Sequence, residues 1–463
     1  MAQTPLKYFE GDEKMQDWKE YYKKHLVSVE DTAKMIKPGD VVWMGQAGEI
    51  PYTMLGEMYK HKEDYHDVFL IWNVAVQPFE MLFDPSSKKH FRMTSYFNLP
   101  LERISGEMGV MEYHSCGYDH MVESFFEYGG NTIALHVCPP DEDGWCNVGH
   151  YGVSTASLMS NDPRIKKRIA FIDATGHYQI PGENGKVSLH ITDFDYIAEC
   201  DTELITVPAP LPTEVDKQIA SHIIPYIHAG DKLEIGYGGL AEEILANLRG
   251  AGPFEVFTEV CCDNMLNLVE EGVLTKVVAA SPGACTERFF NFCTTDPRVK
   301  LLPKNKVIEL DEVVKLENIV SINVTLMVDL LGQACSEAQG LTPYTGVGGS
   351  FAFIQGAMRA KGGRSFLCLR STYKDGEGVI HSNIVPWLPE GSIVTTPKNY
   401  QMYIVSEYGL ADVYLKTIPD RIRAIIRIAH PDFRQELKKK ICTTSLIGEN
   451  DFEGYDLYNS EEK

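Results

Sequence analysis

Asp231 to Leu248 reads "DKLEIGYGGLAEEILANL". A short apolar run enters Gly236-Tyr237-Gly238-Gly239 and passes directly into a helical pattern starting near Ala241. A strand that feeds a helix through glycines lets several backbone N–H groups point at one ligand with no Cβ in the way. An anion or an oxyanion can be held there. Gly236, Gly238 and Ala241 also satisfy G-x-G-x-x-A, the dinucleotide fingerprint, which expects an acidic residue about 20 positions on. Glu259 stands close to that distance, after the strand-like "FEVF". Close packing of strand on helix would account for the glycines equally well.

The same alternation runs through most of the chain. "DVFLIWNVAV", "NTIALHVC", "KRIAFIDA" and "TELITVPA" are β-branched and aromatic runs bounded by polar residues, and predict buried strands. "VSVEDTAKMI", "AEEILANLRG" and "DRIRAIIRIAH" carry helical periodicity. Strands alternating with helices predict an α/β fold with parallel sheets. A chain of 463 residues exceeds what one core usually supports. Three prolines within Val207 to Pro212 forbid a helix there and mark a junction near residue 210, predicting domains of 1–209 and 210–463.

The formal net charge is -22, and no Lys/Arg run could track a phosphate backbone, so nucleic acid and anionic membranes are not expected partners. The N-terminus lacks an apolar signal-peptide core and no apolar run approaches a membrane span, which predicts a soluble cytoplasmic protein. Eleven cysteines, an odd number without CxxC or Cys/His ligand spacing, predict reduced packing thiols and no metal site. His114, His120, His136, His150 and His190 share no motif, and are expected in the core or on the surface.

A second glycine cluster, Gly346, Gly348 and Gly349, precedes another helical run, and Arg359, Lys361 and Arg364 follow within a few residues. In so acidic a chain these cations are a plausible local seat for phosphates, or else a solvated charged face. A third turn, Ser406-Glu407-Tyr408-Gly409, is expected to join a strand to a helix, with Glu407 as a reserve acid. Three such turns in one half suggest a site at strand C-terminal ends.

Between the first two turns lies "FTEVCCDN", Phe257 to Asn264, where a carboxylate and two thiols compete for any chemistry. Cys261 and Cys262 have no His, Lys or Arg nearby in sequence to lower their pKa. Glu259 has two possible roles, ribose ligand or nucleophile. Asn323 and Asp329, flanked by apolar residues, are expected as satisfied buried polar groups or as supports to a site.

In order, "IGYGG", "FTEVCCDNMLNLVEEGVL", "SINVTLMVDLLGQACSE", "TGVGGSFAFIQGA", "KGGRSFLCLRST" and "SEYGLADVYLKTIPDRIRAIIRIAHPDFR" resemble the acyl-CoA:carboxylate CoA-transferases of the acetyl-CoA hydrolase/transferase and 4-hydroxybutyrate CoA-transferase family. "PPDEDGWCNVGHYGVSTA" extends the resemblance to the first half, so that it runs roughly from Tyr22 to Leu437. The resemblance implies two related open parallel-sheet α/β domains with the active site between them. It implies a glutamate that becomes covalently attached to CoA, carried over by motif to Glu259. Gly236, Gly238 and Gly239 would then lie in a first CoA-binding loop and Gly346, Gly348 and Gly349 in a second; Tyr237, Ser350 and, from the cation cluster, Lys361 are further candidates for CoA or oxyanion contact.

The substrates implied are an acyl-CoA and a small carboxylate, with CoA as substrate and covalent intermediate, no tightly bound cofactor, and a homodimer or larger homo-oligomer. The chain departs from the family's usual residues at Leu240-Ala241-Glu242, Cys262-Asp263-Asn264, Ser350 and Tyr414-Leu415, changes that bear on acyl specificity. The rival activities are an acyl-CoA hydrolase on the same scaffold, a NAD-dependent oxidoreductase using Glu259 on the ribose, and a silent CoA-binding protein.

Overall fold

The computed structural model describes residues 17–173, 188–201, 206, 209–283 and 285–458. Its first large sheet contains β1 (Val41–Gln46), β2 (Val68–Asn73), β3 (Phe91–Ser95), β4 (Glu112–Tyr113), β5 (Thr132–Val137), β6 (Lys167–Asp173) and β7 (Tyr196–Cys200). The order is β4-β3-β2-β1-β5-β6-β7, parallel throughout. The second contains β8 (Lys232–Ile235), β9 (Phe254–Cys261), β10 (Leu274–Pro282), β11 (Val299–Leu301), β12 (Ile319–Val324), β13 (Arg364–Cys368), β14 (Tyr403–Ser406) and β15 (Gly409–Asp412). Its order is β11-β10-β9-β8-β12-β13-β14-β15.

Counted from its own first strand, each sheet is wound 4-3-2-1-5-6-7, so the halves share one topology without sharing a visible sequence repeat. The second adds one antiparallel edge strand, β15. In both, the chain moves outward from the first strand and returns to its other side, creating a switch point between strands 1 and 5. In open sheets wound this way, that point at the strands' C-terminal ends is where a ligand crevice is expected.

Burial on both faces is why these strands read as continuous apolar runs. In β2, "VFLIWN" is buried at every position. One apolar core joins Trp43, Ile71 and Leu135 of the first sheet to Leu233, Val256 and Val277 of the second, and two smaller cores cover the outer faces. The chain restarts after the prolines with α1 (Glu214–Ile223), whose Thr213 cap accepts from the Asp216 N–H at 3.3 Å while the Thr213 N–H donates to the Asp216 carboxylate at 2.8 Å.

The strand expected over "TELITVPA" falls largely outside the described residues at 202–205 and 207–208, and the strand observed, β7, lies just before it. The third turn is also different from expectation. Ser406 to Gly409 closes the antiparallel β14–β15 hairpin, made possible by φ +144° at Gly409, and no helix starts until Ile418. A turn residue that permits both outcomes cannot by itself tell hairpin from βα unit.

Candidate active site

Glu259 projects from β9 near its C-terminal end, beside the first glycine turn: the preceding residue, Thr258, donates its hydroxyl to the Ile235 carbonyl at 2.8 Å. Gly238, with φ +134°, caps α2 (Gly239–Asn247), while Tyr237 is half exposed. The second glycine loop reaches the carboxylate itself. Gly349 heads α3 (Ser350–Arg359), and its N–H donates to Glu259 Oε2 at 2.8 Å. The contact is so close that a Cβ on Gly349 would sit 2.3 Å from that oxygen. Burial pushes the Glu259 carboxyl up to about 7, with the Gly349 N–H opposing the rise and the Asp119 charge adding to it.

The first half closes the other side. Tyr118 N–H donates to the Gly348 carbonyl at 3.0 Å, Thr345 donates its hydroxyl to the Asn98 carbonyl at 3.2 Å, and the Arg103 guanidinium lies 3.9 Å over the Tyr344 ring. Gln46, at the C-terminal end of β1, donates to Ser281 Oγ at 2.7 Å and accepts from the Tyr118 hydroxyl and from Asn73, both at 3.1 Å. The C-terminal ends of the two sheets thus face each other across Glu259. Asp119 adds negative charge beside the carboxylate, and its backbone carbonyl accepts from the buried Lys304 ammonium.

Sequence reasoning missed Gln46, Tyr118, Asp119 and Ser281. No motif contains them, and long-range contacts alone bring them to the site. Lys361, by contrast, does not join the glycine loops. The ten residues of α3, about 15 Å long, separate it from Gly349, and its ammonium pairs with Glu317 at 3.3 Å on the exposed side. Its neighbour Arg364 is committed to Asp231 at 2.6 Å. Lys361 and Arg364 thus stand at the N-terminal edge of the sheet, away from the glycine loops.

The thiols are poor nucleophiles here. Cys261 is 1% exposed and burial raises its pKa well above the ordinary thiol value; Cys262 is buried too, and burial raises it likewise. Glu407 is occupied by the Ser371 N–H and hydroxyl, at 2.9 and 2.5 Å, and Asp329 by the loop at Leu331 and Gln333; both brace loops. His114 and His190 hydrogen-bond neighbouring hydroxyls, at 3.1 and 2.7 Å. The dinucleotide reading loses its acid, because the Glu259 carboxylate is half-buried under the second loop rather than open beside Gly238. Among the described residues no cluster of His, Cys, Asp and Glu could hold a metal ion, and no helix is long and apolar enough to cross a membrane.

One more carboxyl lies near the crevice. Glu49, in the turn after β1, is 3% exposed and accepts one hydrogen bond, from the Gln46 N–H at 3.2 Å; its Oε1 has no partner among the described residues. Burial raises it to about 8. Between the ordinary carboxylate range and that value the fold keeps a proton that the unfolded chain has lost. Stability from this group therefore falls as pH rises, by about 1.4 kcal/mol per pH unit. Tm is expected to drop between pH 5 and pH 8, and to drop less in Glu49→Gln. Equal drops, measured by calorimetry, would refute a protonated Glu49.

The two sheet ends hold a partly desolvated carboxylate against one backbone donor, the Gly349 N–H, an arrangement compatible with acyl-group chemistry. Residues 285–441 match the family model of the acetyl-CoA hydrolase/transferase C-terminal domain. The 4-hydroxybutyrate coenzyme A transferase of Clostridium kluyveri is 30% identical over 431 residues, covering 91% of this chain and 98% of that protein. The butyryl-CoA:acetate CoA-transferase of Anaerostipes caccae is 28% identical, covering 91% of this chain and 97% of its own length. The fold matches the crystal structure of RipA from Yersinia pestis with a TM-score of 0.82 at 24% identity, over 93% of this chain and all of that one. The chain belongs to the acetyl-CoA hydrolase/transferase family of CoA-transferases.

Proposed function

We propose that this chain transfers CoA from a short-chain acyl-CoA to a small carboxylate such as acetate, with Glu259 as covalent carrier. The observation that carries the reading is the Glu259 carboxylate, bonded by the Gly349 N–H at 2.8 Å and flanked by the Gly236–Gly239 turn. The reading takes 1–209 and 210–463 as two domains with the site between them, and the protein as a cytoplasmic homo-oligomer.

Exchanging a thioester for a carboxylate without losing the acyl group to water calls for a relay. A Glu259 oxygen attacks the acyl-CoA carbonyl and expels CoA thiolate, leaving a mixed anhydride. The thiolate attacks the glutamyl carbonyl, frees the first carboxylate and leaves a glutamyl-CoA thioester. The acceptor carboxylate attacks that thioester, and CoA thiolate leaves and then attacks the acceptor's acyl carbonyl, restoring Glu259. Each step passes through a tetrahedral oxyanion that the glycine loops can stabilise, and one such donor is worth about 3 kcal/mol of barrier. Gly349 has a second effect: its N–H favours the ionised Glu259, the form that attacks. Binding of the distant nucleotide end of CoA supplies energy to orient the thioester.

Intact-mass measurement after adding butyryl-CoA is expected to show a gain of CoA less water, mapped to the Glu259 peptide. Borohydride should convert that residue to an alcohol. An unmodified peptide from an active enzyme would refute the carrier role. CoA release at the same rate with and without acetate would make the enzyme a hydrolase.

A further inference from the structure

β8 carries a carboxyl that the relay does not use. Glu234 is 2% exposed, and its Oε2 accepts from Ser321 Oγ at 2.7 Å and from Asn323 Nδ2 at 2.8 Å. Strand pairing places it opposite Ser321 on one side. On the other, Leu233 pairs with Val256, which puts Glu234 level with Phe257, two residues short of Glu259 and on the same face. Two carboxyls therefore share one water-poor face of the sheet, one behind the other along the approach to the crevice.

Few charges face Glu234. From β9 there is Glu259 toward the crevice and Glu255 toward the opposite edge, where Lys276 of β10 lies 5.0 Å from the Phe257 ring. From β12 come the neutral Ser321 and Asn323. Helix α3, packed over β12 and β13, buries Ala352, Phe353, Ile354, Gly356 and Ala357, and its only charged residue, Arg359, is at its far end. Asp119 acts on Glu259 from the first half. Among the described residues no cation figures in what shifts either carboxyl, and two such groups ionise in separate steps.

We propose that Glu234 is a positioning residue that keeps a neutral carboxyl behind Glu259, so that this face of the pocket holds no fixed negative charge when the acceptor carboxylate reaches the glutamyl-CoA thioester. This rests on Glu259 being the CoA carrier. Burial lifts Glu234 to about 8, above Glu259, with Ser321 and Asn323 opposing the rise and the Glu259 charge adding to it. Glu234 is also the more deeply buried of the two, so Glu259 is the group that ionises first. When Glu234 later gives its proton to solvent, the new charge repels the anionic acceptor. The acyl end of the thioester is neutral and is spared.

The test is kcat/KM for acetate from pH 6 to pH 10, alongside the rate of CoA-adduct formation from butyryl-CoA. Wild type is expected to lose acetate kcat/KM about tenfold per pH unit on the alkaline side, with the limb beginning no higher than about pH 8 because the thioester carries no Glu259 charge, and with adduct formation unchanged there. Glu234→Gln is expected to lose that alkaline fall. Ser321→Ala removes a donor that favours the ionised carboxyl, so its fall should move to higher pH; it serves also if Glu234→Gln does not fold. An alkaline fall that is absent in wild type, identical in Glu234→Gln, or shared by adduct formation would overturn the proposal. If wild type forms no adduct, it is the carrier reading that fails. Adduct in both proteins with coincident alkaline limbs would remove only the role of Glu234.

Discussion

Glu259→Gln is expected to lower kcat by about 10⁵-fold, the scale on which removing a covalent nucleophile acts. The substitution keeps the shape of the side chain and an oxygen for the Gly349 N–H, so the loop that meets Glu259 at 2.8 Å should stay in place. It also removes a partly buried charge, so Tm at pH 8 should equal or exceed that of wild type. The amide is a far weaker nucleophile than the carboxylate, and the adduct should disappear from intact-mass spectra along with turnover. Activity within tenfold of wild type, in a protein of unchanged Tm, would refute the relay. In wild type the attacking form is the carboxylate. With its pKa near 7, the rate should fall about tenfold per pH unit as pH drops below that point.

Gly349→Ala is the second large effect, expected to cost 10²- to 10³-fold in kcat, on the order of one lost oxyanion donor or a displacement of about 1 Å at the reacting group. The backbone there has φ -99° and ψ -2°, which alanine adopts without strain. The whole effect is therefore steric: the new methyl would stand 2.3 Å from Glu259 Oε2 and drive the carboxylate off its donor. Losing that N–H also removes what favours the ionised form, so the acidic limb of the pH profile should move to higher pH while Tm changes little. Wild-type kcat with an unmoved limb would show that this contact has no part in the chemistry.

Much of this was legible from local pattern. The βα alternation, the placement of Gly236–Gly239 and Gly346–Gly349 before helices, and the preference for Glu259 over the adjacent thiols all rest on chemistry within a few residues of chain. Glu234 was also readable, as a charge inside the apolar strand "KLEI". Its significance was not, since that depends on Ser321 and Asn323 from another strand and on the parity it shares with Glu259.

By itself the sequence determined the kind of elements, the order in which they come and which residues could do acyl chemistry, because hydrophobic periodicity and glycine's conformational range act over short distances. Only the tertiary structure decided the rest. It set Gly349 against Glu259 and brought Gln46 and Tyr118 from the first half to close the site, while it sent Lys361 to the opposite edge of the sheet. It also made Ser406–Gly409 a hairpin turn. These outcomes depend on strand order and on the facing of two sheets, which are set by burial of apolar surface summed over the whole chain rather than by any one stretch of it.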